Sequence, residues 1–133
     1  MLCLHNYARA QEGVAPLALS PTLDETAEEK AKRLAACHEF SHTPCGDPWQ
    51  APFLAARYAG AIGENLALSY GGDDVERVLF ALWIHSPLHR ANILRSEFAE
   101  AGFAVTVVSH AVADASTRSD TVWVAHFGSG RER

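Results

Sequence analysis

Apolar residues fall at helical intervals in two stretches of the chain, and the last third shifts toward strand-like runs. In SPTLDETAEEKAKRLAA (20–36), Leu23, Ala27, Ala31, Leu34 and Ala35 recur about once per turn and make one apolar face. Ser20 suits the cap position before Pro21 at the first helical residue, and Thr22 with Glu25 offers an alternative capping box. In DDVERVLFALWIHS (73–86), Val75, Val78, Leu79, Leu82 and Trp83 keep the same period. Asp73 or Asp74 caps that helix and Pro87 marks its end. A helix of mixed polarity over 1–12 closes at Gly13, and a short one over 49–59 carries Phe53, Leu54 and Tyr58. CHEFSHTPCGDPW (37–49) is a loop, since Pro44, Gly46 and Pro48 break any helix. GENLALSYGG (63–72), bounded by glycines, reads as a short strand or a turn.

AGFAVTVVSH (101–110) and DTVWVAHF (120–127) read as strands, joined by the mostly polar AVADASTRSD. Consecutive strands with such a link pair antiparallel. Helices first and strands afterwards make the α+β class. With no repeat or linker, residues 1–133 form a single domain, large enough for its own core.

The net charge of −5 and pI near 5.7, without a basic stripe, exclude a nucleic-acid surface. No apolar run reaches the length of a transmembrane helix. MLCLHNYARA has neither the basic nor the apolar region of a signal peptide. It follows that the protein is cytosolic or that a leader lies outside this chain.

Chemistry is sparse. Of seven histidines, the pairs His38/His42 and His85/His89 are four apart, but each pair spans a loop or a proline, so spacing alone is weak evidence for metal. Glu64, between Gly63 and Asn65, is either an exposed turn residue or a buried, paired carboxylate. Ser86 before Pro87 lacks a nucleophile-elbow setting; it ends one helix or caps the next turn. Cys37 or Cys45 is a nucleophile beside His38 or His42, or half of a disulfide, the preferred reading. Trp49, Trp83 and Trp123 most simply fill the core.

HNYARAQEGVAPLALS, with His5, Asn6, Arg9, Gly13, Pro16 and Leu17 in step, resembles the opening of one family. FSHT, GENLA, LWIHSPLHRANIL, FAEAGFAV and VWVAHFG follow in that family's order. It is the CAP superfamily of cysteine-rich secretory proteins, insect venom antigens and plant pathogenesis-related proteins. The SPLHRANIL form is similar to its bacterial branch. Each fragment is loose; six in order, across nearly the whole chain, are specific.

The resemblance implies an α–β–α sandwich with a central antiparallel sheet, and an extracellular or periplasmic location. In animal and plant members two histidines and two glutamates face one cleft and can hold a divalent metal. The matching positions are His42, Glu64 and His89; Ser86 stands where the second glutamate belongs, so weak Zn²⁺ binding is expected. Gly102-Phe103-Ala104 replaces the family's GxG. Pro87 should stop the helix and turn His89 back toward Glu64, with Arg90 and Asn92 fixing that loop and Asn65 and His126 beside the cleft. In an exported protein Cys37 and Cys45 should be bonded, leaving Cys3 free and buried in the first helix. The favoured function is a secreted binding module for a lipid, a sterol or an extracellular protein. The alternatives are a metal-assisted, protease-like hydrolase and a structural interaction domain.

Overall fold

The computed structural model describes residues 1–70, 74–111 and 117–130, with the side chains of 109–111 and 117–118 left aside. Helix α1 (Leu2–Gln11) leads to a two-residue strand β1 (Ala18–Leu19) and the long helix α2 (Pro21–Cys37). A tight turn at Pro44–Gly46 and helix α3 (Ala51–Ala55) precede strand β2 (Ile62–Tyr70). Helix α4 runs from an α-helical turn, Val75–Arg77, into a wider π-helical stretch, Val78–Ile84. Helix α5 (Pro87–Leu94) and the strands β3 (Glu100–Ala111) and β4 (Thr117–Gly128) complete the chain.

The strands lie in the order β1-β3-β4-β2. β4 pairs antiparallel with both neighbours, but β1 pairs parallel with β3, Ala18 opposite Glu100. The sheet is therefore mixed rather than antiparallel. Two residues between Pro16 and Ser20 are too few to show an alternating pattern, so β1 left no trace in the sequence. One face of the sheet packs Leu66, Ala104, Val122 and Val124 against Ala27, Ala31 and Leu34 of α2. The other packs Ala67, Ala101, Ala125 and Phe127 against Trp83, Leu79 and Ile93 of α4 and α5. Helices cover both faces, as the sandwich requires.

The α2 start follows its sequence: the Ser20 hydroxyl accepts from the Leu23 amide and Pro21 occupies the first helical position. Strand β3 crosses this first turn so closely that a side chain at Gly102 would collide with the Leu23–Asp24 backbone, and the Phe103 amide donates to Asp24 Oδ1 at 2.8 Å. The opening motif is structural. Arg9 is fully buried and its guanidinium donates to the carbonyls of Ala15, Ile93, Arg95 and Phe98. Asn6 exchanges two hydrogen bonds with the Leu17 backbone.

Pro87 marks the end of α4, which stops at Ile84, and with Ser86 at the cap position it also begins α5, because proline's missing amide costs nothing at the first helical position. Of the two readings of GENLALSYGG the strand holds: residues 62–70 form a nine-residue strand with both faces buried, which hides the strand alternation. Two expectations change. Cys3 is exposed rather than buried. Trp83 is a core residue, but Trp49 and Trp123 are only half-buried. Asp74 caps α4 by accepting from the Arg77 amide, while Asp73 lies outside the described residues.

Candidate functional site: a buried carboxylate under an exposed histidine

Glu64 on β2 stands opposite His126 on β4, so their side chains share the sheet face that meets α2. His126 Nε2 donates to Glu64 Oε2 at 2.8 Å. Its Nδ1 lies 2.8 Å from the Thr26 hydroxyl of α2, and Phe53 of α3 stacks on the ring with centroids 4.3 Å apart. Lys30, one turn after Thr26 and 2% exposed, brings its ammonium to 3.2 Å from Glu64 Oε2. The same ammonium donates to the His42 carbonyl at 2.6 Å. His42 donates Nδ1–H to the remaining oxygen, Glu64 Oε1, at 2.7 Å. The carboxylate is almost fully buried while the imidazole above it is more than half exposed.

Burial alone would raise the Glu64 pKa. Hydrogen bonds from His126 and His42, with the charges of His126 and Lys30, outweigh it and hold the group at about 2. Burial also lowers the His126 pKa, against the opposing pull of Glu64. The Thr26 hydroxyl lies within hydrogen-bond distance of both His126 Nδ1 and the Leu23 carbonyl, which ties the ring to the first turns of α2. With Nδ1 bonded to Glu64, the His42 ring is held in place and its Nε2 is left for whatever enters from solvent.

The chain carries His42 on the loop 38–44, closed by the Cys37–Cys45 disulfide with 5.6 Å between Cα atoms. His38 and Cys45 both sit at positive φ, 50° and 54°, turning the loop back toward α2. Asn92 of α5 fixes the other wall, donating to the Glu64 carbonyl and to Asn65 Oδ1. Asn65 in turn donates to the His89 carbonyl.

Of the residues singled out by sequence, His42, Glu64 and His126 meet directly. His89 does not bond to Glu64. It belongs to α5, and its Nδ1 pairs with the Ser86 hydroxyl at 2.8 Å. It is half-buried, and its pKa is lowered by burial and then by the charge of His42, which puts the two imidazoles in one electrostatic neighbourhood. Arg90 turns to an exposed ion pair with Glu12 instead of the cleft. Sequence reasoning missed Lys30, Thr26 and Phe53. A signal existed: Lys30 falls seven residues after Leu23, within the apolar face of α2, where a solvated lysine has no place.

The donor chemistry tests the metal that the resemblance implies. Both Glu64 oxygens are taken by three N–H donors, one of them an ammonium, so a cation bound there would sit against a buried positive charge. Glu64 does not fit as a ligand. The Nε2 atoms of His42 and His89 fit, because each ring's Nδ1 is already hydrogen-bonded. Among the described residues no group of three or more His, Cys, Asp or Glu side chains is arranged to hold a metal ion.

Comparison with known proteins agrees with the architecture. The pattern of the CAP family, the cysteine-rich secretory protein family, matches residues 2–127, and the chain belongs to that family. An outer surface protein of Borrelia burgdorferi is similar over 98% of this chain and 90% of its own, at TM-score 0.73 and 21% identity. An extracellular SCP-domain protein of Bacillus anthracis matches over 96% of this chain, at TM-score 0.73 and 22% identity. A cysteine-rich secretory protein of Staphylococcus aureus matches over 96%, at TM-score 0.66 and 18% identity. The chain spans only 38% and 36% of the last two. No curated protein matches the chain.

Proposed function

We propose that this chain is an exported ligand-binding domain, and that its recognition site is the groove of about 410 Å³ lined by His42, Trp49, Ile62, Gly63, Glu64 and Asn92. The observation that carries the reading is the locked His42 ring: Glu64 holds it in place and leaves Nε2 facing a ligand. Export is supported by the disulfide, which persists in oxidising compartments, and by relatives described as extracellular or outer-surface proteins. Binding is favoured over hydrolysis because Glu64, the buried carboxylate of the cleft, is fully engaged and unsuited to be a general base. A lipid or sterol as ligand is supported by a second pocket of about 360 Å³, whose apolar wall of Leu34, Phe40, Leu68, Val108 and Val122 is joined by His38, Glu39 and Asp120.

His42 and His89 make weak zinc binding part of this reading, since two neutral imidazoles leave the ion mostly hydrated. Zinc calorimetry on the wild type, His42→Ala and His89→Ala tests it. Weak binding should be lost in both variants and fade below about pH 6.5, where free histidine takes up its proton. Equal binding by all three proteins, or by none, refutes the zinc reading. Chelator-sensitive turnover of a peptide or ester, abolished by His42→Ala, would replace the binding domain with a hydrolase.

A further inference from the structure

The groove at His42 has a chemical character that narrows the ligand class, provided the cleft is the recognition site as proposed above. Its carboxylate is balanced by the Lys30 ammonium at 3.2 Å and spent on two imidazoles, so Glu64 offers no free charge to a ligand. Polar atoms remain. His42 presents Nε2 to the groove, because Nδ1 is bonded to Glu64. Asn92 gives its amide hydrogens to Glu64 O and Asn65 Oδ1, which leaves Oδ1 as an acceptor. Trp49, half-buried and braced edge-on by Phe53 at 6.0 Å, adds an aromatic surface and an indole N–H.

These features select against several ligands. An anion would need cations, but the Lys30 ammonium beneath the groove is buried against Glu64 and the chain is acidic. An acyl chain would need apolar walls, and His42, Glu64 and Asn92 line this groove. A sugar ring joins an apolar face to a rim of hydroxyl donors and acceptors, which complements an aromatic ring flanked by polar atoms. We propose that the groove binds a neutral saccharide, one ring stacked on Trp49 with hydroxyls hydrogen-bonded to His42 Nε2 and Asn92 Oδ1. The volume, about 410 Å³, lies within the usual range for small-ligand clefts, about 300–1,000 Å³.

The test is a titration of ¹⁵N-labelled protein with chitotriose, cellotriose and maltotriose, with zinc and decanoate added to parallel samples. At least one sugar should move the indole signal of Trp49 and the ring signals of His42, leaving the buried Trp83 indole in place. Trp49→Ala should weaken that sugar at least tenfold, and Trp49→Phe should keep most of the affinity. The Trp83 signal reports whether each variant is folded, and Trp49→Phe stands in should Trp49→Ala not fold. Sugar shifts that Trp49→Ala leaves unchanged overturn the proposal. If zinc or decanoate moves the cleft signals and no sugar does, the saccharide is refuted while the cleft remains the recognition site. If no probe moves them, both readings fall.

Discussion

Lys30→Met removes the ammonium under the cleft while keeping a side chain of similar length in the α2 face. Lys30 is 2% exposed and its partner carboxylate 1%, so solvent cannot take over the lost role. Glu64 would retain its two histidine donors and lose its balancing charge. Breaking one side of a buried pair costs about 3–5 kcal/mol. The depressed pKa of Glu64 reflects its whole set of partners, of which the Lys30 charge contributes least. Held at about 2 against 4.5 in the ordinary state, the carboxylate contributes about 3 kcal/mol to stability. Because that pKa is depressed, the contribution is whole above about pH 4.5 and disappears as pH falls through 2. A loss of about 3 kcal/mol is a large part of a domain's usual 5–15 kcal/mol. Urea unfolding at pH 7, followed by tryptophan fluorescence with the disulfide intact, measures it. The double variant Lys30→Met with Glu64→Gln removes the orphaned charge and should recover at least about 1 kcal/mol. The reasoning is refuted if Lys30→Met costs less than about 1 kcal/mol, or if the double variant is no more stable than the single one.

Leu79 is fully buried against the sheet, so Leu79→Ala should cost about 2–5 kcal/mol in chemical unfolding; a loss below about 1 would place it on the wrong face. Alkylation without reductant should label one thiol, the exposed Cys3, and three after reduction, and opening the eight-residue step should cost about 2–3 kcal/mol. His5 is buried among Trp83, Phe103 and Phe127, with Nε2 unpartnered among the described residues. Burial, opposed by its bond to the Met1 carbonyl, lowers its pKa from 6.5 to about 4. The unfolded chain therefore takes up this proton first as pH falls, and stability should drop by about 3 kcal/mol between pH 6.5 and 4. His5→Leu should flatten that part of the profile, and an unchanged slope would show that His5 does not cause it.

The elements that read clearly from sequence are those whose face is set by a local period. Leu23, Ala27, Ala31 and Leu34 define α2, and the Val-rich run of β3 declares itself in the same way. β2 did not, because a strand buried on both faces has no polar alternation. The period also put Val78, Leu79 and Trp83 of α4 on its buried face, but not the wider π-helical winding that carries them. The family's positions gave His42 and Glu64, and the extra imidazole at His126 was visible beside Phe127. What holds them together was not: Lys30 reaches Glu64 across 34 positions, and only the packing of α2 on the sheet brings them within reach.

β2 has one paired side, against β4, and the strand order leaves its other side at the margin of the sheet. The carbonyls of Leu66 and Glu64 do not point into open solvent there. Trp83 Nε1 donates to the first at 3.0 Å and Asn92 Nδ2 to the second at 3.1 Å. Two side chains thus act as a short stand-in for a missing neighbouring strand. A bare margin of this length is a template on which another chain can add itself, the first step of edge-to-edge aggregation. Asn92 therefore occupies an edge carbonyl that a second copy could otherwise use, as well as lining the groove.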